Sequence, residues 1–221
     1  MSYITHAHCE RALQKMKRFH DDLNHLYKSY GLCMLENTGR RNILLSAAQE
    51  EFFAQELSTS YKGVSNNGKT GEPDIMISEL GKELECKITT PSSKGAIQLQ
   101  TDYATLCKKG ALDYLYVIAS RDFDKFVVLH YCDLTSEDFR TPSPGSRGKA
   151  HMSRHVAAAK CNVLFGKVHV KNEQRIAKLS QELLECGPNA KKKREDKQKS
   201  IKYWQEQPSH FIYDFEELKR V

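Results

Sequence analysis

The segment from Gly71 to Thr89, Gly-Glu-Pro-Asp-Ile-Met-Ile-Ser-Glu-Leu-Gly-Lys-Glu-Leu-Glu-Cys-Lys-Ile-Thr, constrains the chain more than any other. Two short runs flank Leu80-Gly81-Lys82, and the glycine at the centre predicts a turn joining two antiparallel strands. In the second run Glu83, Glu85, Lys87 and Thr89 alternate with Leu84, Cys86 and Ile88. The strand period of two therefore sets Glu85 and Lys87 on a polar face and turns the apolar residues to the other. Asp74, just after Pro73 at the start of the first run, stands eleven positions before Glu85. A tight hairpin folds that separation back and brings the two carboxylates near each other.

Two carboxylates so placed repel unless a cation lies between them. Mg²⁺ suits such donors, being a hard ion that takes one or two carboxylates together with waters and substrate phosphate oxygens. Lys87, on the face of Glu85, is able to stabilise an attacking hydroxide or to orient the water that supplies it. These residue types point to a phosphodiester as substrate.

Pro73-Asp74 followed by Glu85-Cys86-Lys87 resembles the signature of the PD-(D/E)XK nuclease superfamily. The resemblance implies an α/β fold with a central mixed β-sheet flanked by helices, the restriction-endonuclease-like core. It also implies Asp74 and Glu85 as metal ligands, the carbonyl of Cys86 as a further ligand, and Lys87 beside the nucleophilic water. Members of the family often carry another acid on a helix before the Pro-Asp strand. Glu50 fits that position better than Glu51, and surface charge at a helix edge is the alternative for either.

The bulk composition sets the frame. A chain of 221 residues suits one α/β domain, with 1–31 an N-terminal helical segment and 141–221 a basic, DNA-contacting C-terminal region. Seven scattered cysteines without a Cys-x-x-Cys pair point to reduced thiols, and no signal peptide or long apolar run is evident, so a soluble, cytoplasmic protein is expected. The net charge of +6 is unevenly placed: residues 141–221 hold 17 Lys/Arg against 9 Asp/Glu. A basic third of this kind suits a polyanion, since neutralising phosphates releases counterions. Solubility alone is the plainer reading.

In chain order, residues 5–30 predict a helix capped by Thr5 and stopped by Gly31, with Leu13, Met16, Phe19, Leu23, Leu26, Tyr27 and Tyr30 along one stripe. That stripe packs into the core or forms a dimer seam; His6, His8, His20 and His25 read as polar-face residues. A second helix is expected over 42–57, with Ala47, Glu50, Phe53, Ala54 and Leu57 on one face. Glu50 then needs a partner, because an acid in an apolar stripe is costly. The polar loop 58–71 leads to Asp74, and its Asn66, Asn67 and Lys69 have the chemistry to read base edges or hold phosphate. A flexible connection is the alternative.

Residues 96–107 read as a third helix, followed by buried strands at 112–119 and 125–132. This order of helix, hairpin, helix and two strands is what the family core requires. Lys94, and Gln98 or Gln100, are candidates to face the site. The Gly/Pro-rich loop 141–149, with Arg147 and Lys149, and then Ser153, Arg154 and His155, suits DNA contact. His151 and His155 with Cys132 or Cys161 make one zinc grouping, but a His-x-x-x-His without paired cysteines is a weak signature. Strands are expected at 161–165 and 167–170 and a helix at 172–186. The run Lys191-Lys192-Lys193-Arg194 reads as a solvated linker or a DNA-gripping tail, and Trp204, Phe211, Ile212, Tyr213 and Phe215 as the means of docking the C-terminus.

Within the family, size and the lack of a motor motif favour a type II restriction endonuclease acting on double-stranded DNA. The implied cofactor is Mg²⁺, with Mn²⁺ as a substitute; in-line attack would leave a 5′-phosphate and a 3′-hydroxyl. A homodimer would match a palindromic site. The rivals are a structure-selective nuclease of the junction-resolvase or repair type and a non-catalytic DNA-binding protein on the same scaffold.

Overall fold

The computed structural model describes residues 2–66, 69, 72–93, 95–187, 190–206 and 211–218. In chain order the elements are α1 (His6–Ser29), α2 (Thr38–Ser58), β1 (Val64–Ser65), β2 (Ile75–Ile77), β3 (Lys82–Thr89), β4 (Gln100–Asp102), α3 (Tyr103–Lys109), β5 (Ala111–Ala119) and β6 (Lys125–Thr135). They continue with β7 (Phe139–Arg140), β8 (Lys149–Met152), α4 (Arg154–Ala159), β9 (Asn162–Phe165), β10 (Lys167–Val170), α5 (Lys171–Leu184), α6 (Lys191–Glu206), β11 (Phe211–Asp214) and β12 (Glu216–Glu217). The fold is α/β, built on a mixed sheet in the order β1-β2-β3-β5-β6-β12, with β9 also paired to β6. No helix among the described residues is long and apolar enough to cross a membrane.

The central pairing is β3 with β5, parallel, in the register Glu85 to Tyr114 and Lys87 to Tyr116. A parallel pair needs a crossover, and α3 supplies it. Both faces of β5 are covered, which is why its sequence reads as an unbroken apolar run. Leu84, Cys86, Leu115 and Val117 face α1 and α2, packing with Leu13, Met16, Leu45, Phe53 and Leu57. Tyr114, Tyr116, Ile118 and Leu129 face the other way, against Leu106 of α3, Ala150 and Met152 of β8, and Val156 of α4. A small sheet, β4-β8-β7, lies over this second face. The Tyr116 hydroxyl donates to the Gln100 carbonyl at 3.0 Å and ties the two sheets together.

Several expectations change. The segment 96–107 is not one helix: Gln100–Asp102 form β4, and α3 begins only at Tyr103, where the Asp102 side chain caps it by accepting from Thr105 N–H at 3.0 Å. An aspartate before an amphipathic turn is a strong start signal, and it outweighs the weak helical pattern upstream. Helix α2 starts a turn earlier than position 42, capped by Asn37. Its buried face is accordingly Arg41, Leu45, Ala48, Gln49, Phe53 and Leu57, whereas Ala47 is exposed. In α1 the fully buried residues end at His20, and Leu23 packs partly buried against the core; Leu26 and Tyr30 are exposed, while His8 and His20 are buried rather than on a polar face. His8 completes the capping box with Thr5 and bonds Ser60 Oγ at 2.9 Å, and His20 stacks on Phe123. The basic run from Lys191 opens α6, a helix rather than a linker; its Lys197 pairs with Glu182 of α5. The C-terminus docks through β12 on β6 and through Tyr213 and Phe215 against the second core cluster.

Candidate active site

The hairpin β2–β3 is antiparallel, with Ile75 opposite Leu84 and Ile77 opposite Lys82. Its turn is a 3₁₀ stretch over Ser78–Leu80 closed by Gly81 in the left-handed region, at φ 59°. Asp74 immediately precedes β2 and accepts from the Cys86 N–H through Oδ2 at 2.7 Å. The carboxylate is thereby fixed across the strands, and Asp74 comes to Glu85 and Lys87 as the hairpin geometry predicts. The Cys86 side chain belongs to the core under the helices, while its carbonyl accepts from Lys87 Nζ at the site.

Lys87 is the hub. Its Nζ donates to Glu85 Oε1 at 2.5 Å and to the Cys86 carbonyl at 3.0 Å, and lies 3.5 Å from Asp74 Oδ2. Burial alone would lower the ammonium's pKa, but Glu85 and Asp74 outweigh it and hold Lys87 above the ordinary lysine value. Burial raises the Glu85 carboxyl, and the neighbouring Lys87 moderates the rise. Glu50, half-buried on α2, is pushed up to about 7, first by burial and then by the charge of Asp74. The charges of Asp74 and Glu85 both act on Glu50, so the three acids share one electrostatic site.

Gln49 escaped the sequence reading. It is fully buried, and its Nε2 donates to the Leu115 carbonyl at 3.2 Å and the Lys87 carbonyl at 3.4 Å, pinning α2 to the strand that carries Lys87. Glutamine beside Glu50 gives no signal until the helix is phased from Asn37, when positions 41, 45 and 49 fall on the inner face. Glu51 points elsewhere and accepts from Gln55 and from Asn66, the latter at 3.5 Å.

The residues expected to meet DNA are dispersed. Lys149, exposed at the start of β8, pairs loosely with Asp102 at 3.7 Å. Arg147 is exposed two residues earlier, with φ 53°. Gln98 is exposed and accepts from Gln100 Nε2 at 2.9 Å. Ser153 instead donates to the Asp138 carbonyl at 3.0 Å. Lys69 is exposed, and its carbonyl accepts from Glu72 N–H. Asn67 and Lys94 lie outside the described residues, as do the side chains of Arg154 and His155. Of the zinc grouping above, Cys132 lies beside His130 and Cys161 beside Tyr131, while His151 sits on β8 opposite Gln100.

A gathering of carboxylate and carbonyl oxygens is the donor set that hard divalent cations take, and it fits Mg²⁺ or Mn²⁺ better than a thiophilic metal. Asp74, Glu85 and the Cys86 carbonyl would hold such an ion. No protein-family model matches this chain, and no curated protein sequence matches it.

Proposed function

We propose that the chain is a Mg²⁺-dependent endonuclease of the PD-(D/E)XK type, cutting double-stranded DNA as a type II restriction enzyme does. One observation carries the reading: the Asp74, Glu85 and Cys86 oxygens converge on a single point, occupied by the Lys87 ammonium. The order of α2, the β2–β3 hairpin, α3, β5 and β6 also agrees with the core that such nucleases require.

The residues divide the labour by their ionisation. Lys87 stays protonated, so it acts as a donor that orients water and stabilises charge on the phosphate, not as a base. Glu50, titrating near neutrality, is the group able to accept a proton at working pH. A bound Mg²⁺ supplies positive charge against the phosphate oxygens and acidifies water. Arg147 and Lys149, both exposed, suit contacts to the DNA backbone. A homodimer is part of this reading, since two-fold symmetry would pair two such sites across a palindrome.

The test is incubation of the protein with unmethylated plasmid and phage DNA, in Mg²⁺ or EDTA, beside Asp74→Ala. Discrete fragments requiring both Mg²⁺ and Asp74 support the proposal. A smear points to a structure-selective or non-specific nuclease, and retained binding without any cleavage points to a non-catalytic DNA-binding protein.

A further inference from the structure

Away from the acids, strands β5 and β6 lose their regular register between Leu112 and Tyr114. Ala111 and Leu112 pair with Thr135 and Leu134, but Tyr114 pairs with Tyr131, so Cys132 and Asp133 together oppose Asp113. This is a β-bulge, a device that re-aims side chains and recurs beside functional sites. Asp133 takes a left-handed backbone, at φ 52°, and turns its N–H onto Asp113 Oδ1 at 2.7 Å.

The bulge gathers three unlike donors. A carboxylate oxygen of Asp113, a ring nitrogen of His130 and the Cys132 sulfur all lie within 4.8 Å of one another. Asp113 is 2% exposed and His130 is fully buried. Asp113 Oδ2 makes no hydrogen bond, although Lys82 Nζ lies 3.4 Å away. The Tyr3 hydroxyl lies against the same carboxylate without forming a hydrogen bond of good geometry. A buried carboxylate oxygen left in this way calls for a partner.

The histidine is already oriented. Ser2 Oγ lies 2.8 Å from His130 Nδ1 and 2.9 Å from the Ile4 carbonyl, and the imidazole stands edge-on to the Tyr3 ring. The Cys132 sulfur is 3.8 Å from Nδ1 and 3.9 Å from Nε2. Contacts of this kind that hold the ring in place are how metal-binding histidines are oriented.

We infer that Asp113, His130 and Cys132 form a zinc site at the β5–β6 bulge, on the sheet face opposite Glu85 and Lys87. Sulfur, imidazole and carboxylate together suit Zn²⁺, whereas the all-oxygen set of the other site suits Mg²⁺. The charges balance: Zn²⁺ and Lys82 offset Asp113, Asp133 and a Cys132 thiolate. Lys82 keeps Asp133 as its nearer partner, at 2.8 Å, when Asp113 turns to the ion. Half-buried Cys132 supplies the way in. The ion would clip the N-terminal Ser2-Tyr3 segment and the bulge together, and it does not depend on the nuclease reading.

The test uses the full chain, stripped with EDTA and titrated with Co²⁺. The proposal expects a thiolate-to-cobalt charge-transfer band at about one equivalent, displaced by Zn²⁺, retained in Asp74→Ala and lost in Cys132→Ser. In the wild-type protein, Zn²⁺ should also slow alkylation of Cys132 by roughly tenfold or more, as ligation protects a thiolate, while exposed Cys33 reacts as before. Absence of the band, or a band that survives in Cys132→Ser, overturns the site, as does alkylation of Cys132 at an unchanged rate.

Discussion

Lys87 Nζ lies 2.5 Å from Glu85 Oε1, two residues back along the same strand, with the Cys86 carbonyl between them at 3.0 Å. An ammonium seated among these oxygens neutralises them and competes with any divalent cation for the same atoms. Lys87→Met is therefore expected to bind Mn²⁺ about tenfold more tightly or better, since a charge pair a few ångströms apart exchanges several kcal/mol even at an effective dielectric constant of about 20. The same variant should lose cleavage. Mn²⁺ titration by electron paramagnetic resonance decides it, and weaker binding by the variant would refute this role for the lysine.

Glu50 gives the site a pH dependence of definite sign. Its carboxyl is raised from 4.5 to about 7, mainly by burial and then by Asp74. Between those values the folded chain holds a proton that the unfolded chain has released, so the contribution to stability is complete below pH 4.5 and is lost as the pH rises through 7. In EDTA, Glu50→Gln should melt above the wild type at pH 8, with the gap closing toward pH 4.5. Thermal denaturation at several pH values checks this, and a gap that does not change with pH would contradict it.

The architecture was legible where local chemistry and tertiary demand agree. Thr5 capping α1, the alternation of Glu85 and Lys87 against Leu84 and Cys86, and the buried runs of β5 and β6 all carry their signal in the sequence. The misreadings have a common physical cause, that a residue's surroundings are fixed by distant segments. Gln100–Asp102 becomes a strand because it pairs with β8, nearly fifty residues later. Gln49 and Arg41 are buried because backbone carbonyls from β3, β5 and the β5–β6 turn meet them. The Asp113 cluster needs a bulge, which side-chain alternation does not reveal.

Arg41 tests that point directly. It is fully buried at the start of α2, donates to the Arg121 carbonyl at 2.5 Å and to Thr90 Oγ1 at 2.7 Å, and lies over the Phe123 ring at 5.0 Å. It thus links α2, the end of β3 and the β5–β6 turn. Arg41→Ala should destabilise the fold by about 3 kcal/mol, given the buried acceptors it would abandon. Arg41→Lys should recover less than half of that, because one ammonium does not reproduce the planar fork. Urea unfolding measures both, and a loss under about 1 kcal/mol for Arg41→Ala would show that the links are dispensable.

Gly166, between β9 and β10, has φ 70° and no room for a side chain. A Cβ there would stand 2.8 Å from the Phe126 carbonyl oxygen and 3.1 Å from that of Asp214. Gly166→Ala should therefore cost more than the roughly 1 kcal/mol of a left-handed alanine alone. Since β6 and β11 both lie at this point, the chemical shifts of Phe126 and Asp214 should move together with the loss of stability. A neutral substitution would contradict the packing described.

In the proposed reaction the Asp74, Glu85 and Cys86 oxygens hold a divalent ion for phosphodiester hydrolysis, with Lys87 and Glu50 assisting. This is tested most directly by single-turnover cleavage of supercoiled plasmid across a Mg²⁺ titration, comparing the wild type with Asp74→Ala, Glu85→Ala and Lys87→Ala. The account predicts Mg²⁺-dependent conversion to linear DNA bearing 5′-phosphate ends. Each substitution should slow it by more than about a hundredfold, the upper range for residues that only support a metal ligand. An inert wild-type protein, or cleavage that persists in EDTA and in Asp74→Ala, would contradict it.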